Sequence, residues 1–196
     1  VINKGVGSEM ASQMVARFER DVIPYHPQLV IWQAGSNQAL RSDNIDGYTE
    51  TMREGINRLK SARTDIVLMD PQFAPRILAR PTHLLIVDSI DAVAKSMNVA
   101  VFRRFALMRD WTSSGQYKME DIISSDGLHM NDVSYGCIAR LLADSIAAVA
   151  ESEKAPCATA RRGTSCNQTG ASPLASGLNR IGERHFDRLD SAVNDP

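Results

Sequence analysis

The sequence lacks several of the patterns that commonly identify a cofactor or metal site. Its three cysteines form no C-x-x-C pair, and no histidines lie at metal-ligand spacing, so we expect no structural zinc site. A P-loop lysine motif and a G-x-G-x-x-G turn are also absent. Their absence argues against a nucleotide-binding flavodoxin-like module.

An excess of charge of either sign is also missing. Lys and Arg number 22 against 23 Asp and Glu, which gives a net charge of -1 and no reason to expect nucleic acid or an anionic membrane as a partner. We also find no apolar run that approaches the roughly 20 residues of a membrane span. The chain opens with Val1 rather than Met, so a targeting segment could precede it, and a periplasmic, secreted or cytoplasmic location stays open. The oligomeric state is equally open.

The pattern of apolar residues predicts an α/β fold. Residues 28–32, 65–69 and 98–102 are short, nearly continuous apolar runs, which are typical of parallel strands covered on both faces. Helical periodicity separates them and returns over residues 132–150, where Asn131 or Asp132 can cap the helix. This alternation predicts a three-layer α/β domain with right-handed crossovers.

The character of the sequence changes near residue 153. From residue 154 onward, small, polar and turn-forming residues dominate and no periodicity is visible. We expect one domain over residues 1–153 and a disordered polar tail over residues 154–196.

Three predicted loops carry residues suited to acyl-transfer chemistry. Residues 3–8 form a glycine-containing turn before a helix, where backbone N–H groups can bind an oxyanion. Gly35-Ser36-Asn37 follows a buried strand, and its Asn can donate to developing negative charge. Asp126 lies three residues before His129, a spacing at which a carboxylate can orient an imidazole. Each motif taken alone is also an ordinary turn.

Together, in order and position, the three motifs resemble late blocks of the SGNH (GDSL) hydrolases. The resemblance implies a flavodoxin-like α/β/α fold with strand order 2-1-3-4-5, and it covers residues 1–150. It also implies that His129 is the general base and then the acid, that Asp126 orients it, and that Asn37 and a backbone N–H of the glycine turn form the oxyanion hole. No metal or organic cofactor is implied. The expected substrate is a small-molecule or carbohydrate ester.

The chain departs from the family at the glycine turn. The family glycine falls on Ser8, with Gly7 one position earlier, so either residue could supply the backbone donor. A negative φ would let Ser8 take this place, whereas a positive φ would strain it.

The larger departure is the absence of the Gly-Asp-Ser block that carries the family nucleophile. Val1-Ile2 corresponds to the end of the second strand, so the resemblance implies that the central first strand and its serine are missing from this chain. The serines that could replace it follow no Gly-Asp at a strand end and are expected to be turn or capping residues. They are Ser8, Ser36, Ser124 and Ser125.

Two functions follow from these motifs. The first is part of an SGNH-type serine esterase whose nucleophile lies upstream of Val1. The second is a non-catalytic ligand- or carbohydrate-binding domain of the same fold. The missing serine supports the second function, but a binder would not require both Asp126 and His129.

The absent central strand predicts low stability of the isolated 196-residue chain. Each buried unpaired backbone group costs about 1–3 kcal/mol, against a total stability of about 5–15 kcal/mol. We expect no cooperative melting of the monomer by calorimetry and no hydrolysis of p-nitrophenyl acetate. Cooperative melting combined with ester hydrolysis would contradict both expectations.

Overall fold

A computed structural model of the chain describes residues 1–42 and 44–154, with side chains described to residue 151. The predicted disordered tail lies outside these residues, except for Lys154, where the last helix ends.

Helices and short strands alternate in the described residues. The helices are α1 (Ala11–Val15), α2 (Phe18–Asp21), α3 (Ser36–Arg41), α4 (Tyr48–Ser61), α5 (Pro75–Leu78), α6 (His83–Met97), α7 (Arg104–Ser113), α8 (Met119–Ile122) and α9 (Asp132–Lys154). The strands are β1 (Leu29–Gln33), β2 (Asp65–Met69) and β3 (Ala100–Phe102), and a 3₁₀ turn (Ile23–Tyr25) precedes β1.

The three strands form one parallel sheet in the order β1-β2-β3. The predicted α/β fold, a parallel sheet flanked by helices, is confirmed. Strand β1 begins one residue later than predicted. Strand β3 begins only at Ala100, because Asn98 adopts a left-handed conformation (φ 51°) that ends α6. The order is the one expected for the last three strands of the 2-1-3-4-5 arrangement.

The predicted strand end at Val1 and Ile2 is wrong. Neither residue pairs with a strand in the described part of the chain, and both side chains are exposed. An extended segment without a neighbour has no partner for its backbone groups, so it gains nothing from strand geometry. The first regular element begins at Ala11 instead.

Strand β1 is packed on one face and open on the other. The indole of Trp32 is buried edge-on against Phe18, with ring centroids 5.2 Å apart, whereas Ile31 is 44% exposed. Among the described strands β1 pairs only with β2, so its other edge is unpaired. Parallel sheets are usually covered on both faces and have no long open edge in their interior.

Helix α9 confirms the predicted final helix and its cap. The side-chain oxygen of Asn131 accepts a hydrogen bond from the backbone N–H of Ser134 at 3.2 Å, and Ile138 and Val149 lie in the core. The stretch Asp132–Glu151 is long and apolar enough to cross a bilayer by length and composition alone. Length and composition are weak criteria, because core helices also meet them.

Gly55 in α4 is where the helix touches the sheet most closely. A Cβ at this position would lie 2.4 Å from the ring of Trp32. We expect Gly55→Ala to destabilise the fold by about 1–3 kcal/mol, because overpacking outweighs the gain in helix propensity. Urea denaturation measures this change. Gly136 in α9 has open space around it and is the matched control, since Gly136→Ala should stabilise by about 0.5–1 kcal/mol. Equal effects at the two positions would contradict the packing argument.

Candidate active site

Gly35 turns the chain sharply from β1 into α3. Its φ is +102°, and a Cβ there would lie 2.8 Å from Ile86 Cγ2. Both the backbone conformation and the space therefore favour glycine. The turn places Ser36 and Asn37 in the first turn of α3, at the carboxyl end of the sheet, where open α/β folds bind their ligands.

Asn37 connects this turn to the glycine turn near the amino terminus. Its side-chain Nδ2 donates a hydrogen bond to the backbone carbonyl of Glu9 at 3.0 Å. An amide nitrogen carries two hydrogens, so this contact orients the group and uses only one of them. The structure thus brings Asn37 beside the Gly7-Ser8 turn.

The backbone of the glycine turn is left-handed at Ser8, the position on which the family glycine falls. Ser8 has a φ of +69°, whereas Gly7 is not among the residues with positive φ. The side chain of Arg17 contacts both ends of the turn. It donates to the carbonyl of Lys4 at 2.8 Å and pairs with the carboxylate of Glu9 at 2.7 Å. A residue other than glycine at positive φ carries strain, which the surrounding contacts must offset.

Asp126 and His129 form one compact hydrogen-bonded unit. One carboxylate oxygen of Asp126 accepts the backbone N–H groups of Leu128 and His129, each at 2.9 Å, and the other lies 2.5 Å from His129 Nδ1. The hydrogen bonds to His129 and to the two backbone groups hold the pKa of Asp126 well below its usual range. Gly127 permits this turn with a φ of +69°.

The imidazole of His129 is accessible. Its side chain is 64% exposed, and Nδ1 is engaged by Asp126. The remaining nitrogen, Nε2, is therefore the ring atom available for proton transfer.

Gln72 links the two halves of the site, and the sequence-based prediction missed it. Its side-chain oxygen accepts the hydroxyl of Ser36 at 2.8 Å, and its Nε2 donates to the carbonyl of Leu128 at 3.0 Å. Ser36 adjoins Asn37, and Leu128 adjoins His129. One amide thus joins the two loops. The only signal in the sequence was its position three residues after the end of β2.

A buried charged pair of residues lies behind Gln72. The guanidinium of Arg104 donates to the carbonyl of Asp70 at 2.7 Å and to the oxygen of Gln72 at 3.1 Å. The carboxylate of Asp70 accepts the backbone N–H of Phe105 at 2.9 Å. Burial lowers the pKa of Arg104 to about 10 and raises the pKa of Asp70 to about 7.

Two of the four serines considered as nucleophiles donate their hydroxyls to hydrogen bonds within the fold. The hydroxyl of Ser36 donates to Gln72, and that of Ser124 donates to the carbonyl of Met130 at 3.2 Å. Among the residues whose side chains are described, 1–42 and 44–151, no cluster of three or more His, Cys, Asp or Glu could hold a metal ion.

The fold is similar to the folds of several solved esterase and lipase structures. An acetylxylan esterase from Geobacillus stearothermophilus is 22% identical, with 71% of this chain and 68% of that chain covered and a TM-score of 0.62. A lipase/acylhydrolase from Enterococcus faecalis is 21% identical over 71% of each chain, with a TM-score of 0.59. A member of the G-D-S-L family of lipolytic proteins from Desulfitobacterium hafniense is 18% identical over 71% of this chain and 77% of that chain, with a TM-score of 0.59. At these identities the similarity concerns the fold.

The family itself follows from the sequence. The chain belongs to the non-GDSL lipase-like family, which matches residues 1–152. The expected relationship to SGNH and GDSL hydrolases is confirmed. No curated protein matches the chain.

Asp70 makes the stability of the fold depend on pH. Its pKa is about 7 in the folded state against 3.8 for an exposed carboxyl, so the fold prefers the protonated form. Protonated Asp70 contributes fully to the free energy of unfolding below pH 4, and this contribution is lost as the pH rises to 7. At about 1.4 kcal/mol per pKa unit, the free energy of unfolding falls by at most on the order of 4 kcal/mol.

We expect Asp70→Asn to remove this loss, because the amide cannot ionise while its oxygen can still accept from Phe105. Urea denaturation between pH 4 and pH 8 measures the difference. The exposed Asp65, at the other end of β2, is the control, and Asp65→Asn should keep the pH dependence of the wild type. The same pH dependence in Asp70→Asn as in the wild type would contradict the assignment.

Proposed function

We propose that the chain forms the base and oxyanion-binding part of a serine esterase that acts on acyl esters or on O-acetyl groups of carbohydrate. The observation that carries the proposal is the 2.5 Å contact between Asp126 and His129 Nδ1, which leaves Nε2 of an exposed imidazole for chemistry. The structural relatives include an acetylxylan esterase and a lipase/acylhydrolase, which fits this substrate class.

In the proposed mechanism a serine hydroxyl attacks the ester carbonyl. Nε2 of His129 takes the proton as the oxygen–carbon bond forms, and Asp126 stabilises the resulting imidazolium. The tetrahedral intermediate collapses, the alkoxide leaves with the proton from His129, and an acyl-serine remains. A water molecule then repeats the sequence and releases the acid.

The oxyanion of the intermediate needs donors that are already in place. The second amide hydrogen of Asn37 and the backbone N–H of Ser8 or Gly7 are the proposed donors. Ser8 has a φ of +69°, which strains a residue with a side chain, so the N–H groups of both Ser8 and Gly7 are kept as proposed donors.

The nucleophilic serine is proposed to lie on a strand outside these 196 residues that pairs with the open edge of β1. The exposed Ile31 and the unpaired edge support a further strand at this position. A strand there would end at the same edge of the sheet as the Gly35 turn, and thus beside Asn37.

The proposal is tested by reading the coding sequence upstream of Val1 and assaying the protein that includes it. A Gly-Asp-Ser in the same frame and hydrolysis of p-nitrophenyl acetate are expected. His129→Ala should reduce kcat on the order of 10⁴-fold, and Asn37→Ala on the order of 10²-fold to 10³-fold.

The control is His26→Asn, because His26 is exposed and has a φ of +47°, which Asn tolerates. It should retain wild-type turnover. Undiminished turnover in His129→Ala would remove His129 from the mechanism. An upstream frame without a Gly-Asp-Ser, together with saturable binding of an acetylated oligosaccharide without cleavage, would favour the binding domain.

A further inference from the structure

Gln72 is a buried polar side chain between two loops that are distant in sequence. It lies three residues beyond the end of β2 and is only 6% exposed. Its three hydrogen-bond partners are Ser36, Arg104 and Leu128, which come from the turn after β1, the start of α7 and the loop before α9.

The orientation of the Gln72 amide is fixed by its neighbours. Arg104 can only donate hydrogen bonds, so the side-chain oxygen of Gln72 must face it. The amide nitrogen then faces the carbonyl of Leu128, which can only accept. In a flipped amide the nitrogen would face the Arg104 donor and the oxygen would face the Leu128 carbonyl. Neither pair can form a hydrogen bond, so buried groups would be left unsatisfied.

Arg104 is itself held firmly. Its guanidinium is 2% exposed and donates to the carbonyl of Asp70 at 2.7 Å. A buried charge is costly to leave unpaired, so this contact resists displacement. The amide of Gln72 is thus anchored to the end of β2 on one side and reaches Leu128 on the other.

We propose that Gln72 is a positioning residue that fixes the Asp126–His129 loop relative to the turn that carries Asn37. The inference rests on the proposed esterase function. His129 must reach the serine while Asn37 reaches the oxyanion of the same intermediate, and misplacement by about 1 Å can reduce the rate on the order of 10²-fold.

Two substitutions separate positioning from packing. Gln72→Glu keeps the size and the acceptors for Ser36 and Arg104 but, as a carboxylate, cannot donate to Leu128. Gln72→Ala removes all three contacts. In the protein that hydrolyses p-nitrophenyl acetate, we expect Gln72→Glu to lower kcat about tenfold to hundredfold. Its KM should stay within about twofold, and its melting temperature should fall less than that of Gln72→Ala, so kcat is compared per folded protein.

Gln72→Ala should lower both kcat and the melting temperature, because a buried cluster loses its central member. The exposed Gln116 is the matched control, and Gln116→Glu should leave kcat, KM and melting unchanged. A kcat within twofold of the wild type in Gln72→Glu would overturn the inference. So would a loss of kcat that only follows a loss of folded protein.

Amide hydrogen exchange provides a second measurement that needs no turnover. The Leu128 and His129 amides donate to Asp126 in the loop that Gln72 holds. We expect their exchange to accelerate about tenfold in Gln72→Glu, with exchange at Val67 in β2 unchanged. Unchanged exchange at both loop amides would overturn the inference. A wild-type protein that hydrolyses no ester would instead overturn the proposed function, and exchange would still decide whether Gln72 holds the loop.

Discussion

The buried guanidinium of Arg104 places strict demands on the residues around it. A charge removed from water needs acceptors, and here the carbonyl of Asp70 and the side-chain oxygen of Gln72 accept from Nη2, whereas the buried Nε has no partner among the described residues. Both residues follow β2, so the charge ties the start of α7 to the end of the central described strand. The loops on either side of β2 are then held through Gln72. The arrangement of the candidate site therefore depends on satisfying this one charge.

Local sequence was sufficient to predict the Asp126–His129 unit. The carboxylate binds two backbone N–H groups and the ring within four residues, so its geometry is set by the turn and by Gly127. The strands were predictable for a similar reason, since short apolar runs of the right length have few alternatives. For Asp126 and His129 the interactions that fix the structure lie within four residues, whereas the strands also pair with neighbours from other segments.

The contacts that the sequence could not predict are those that join distant segments. Gln72 lies 36 residues from Ser36 and 56 from Leu128, and nothing near it in sequence indicates either partner. The strand expected at Val1 and Ile2 failed for the converse reason. Its apolar residues fit a strand, but strand geometry is stable only with a neighbour to pair with. Tertiary pairing decides both outcomes.

Contacts between distant segments also distinguish the two parts of the candidate site. Asp126 and His129 are exposed and locally determined, whereas Asn37 and Ser8 acquire their positions from contacts across the fold. A proton-transfer pair can form wherever its turn forms, but an oxyanion hole requires donors from two segments at a fixed separation. Ser8 retains a left-handed backbone despite its side chain, with Arg17 bracing the turn and Glu9 binding Asn37. The constraint on backbone shape is therefore stronger at this position than the constraint on residue type.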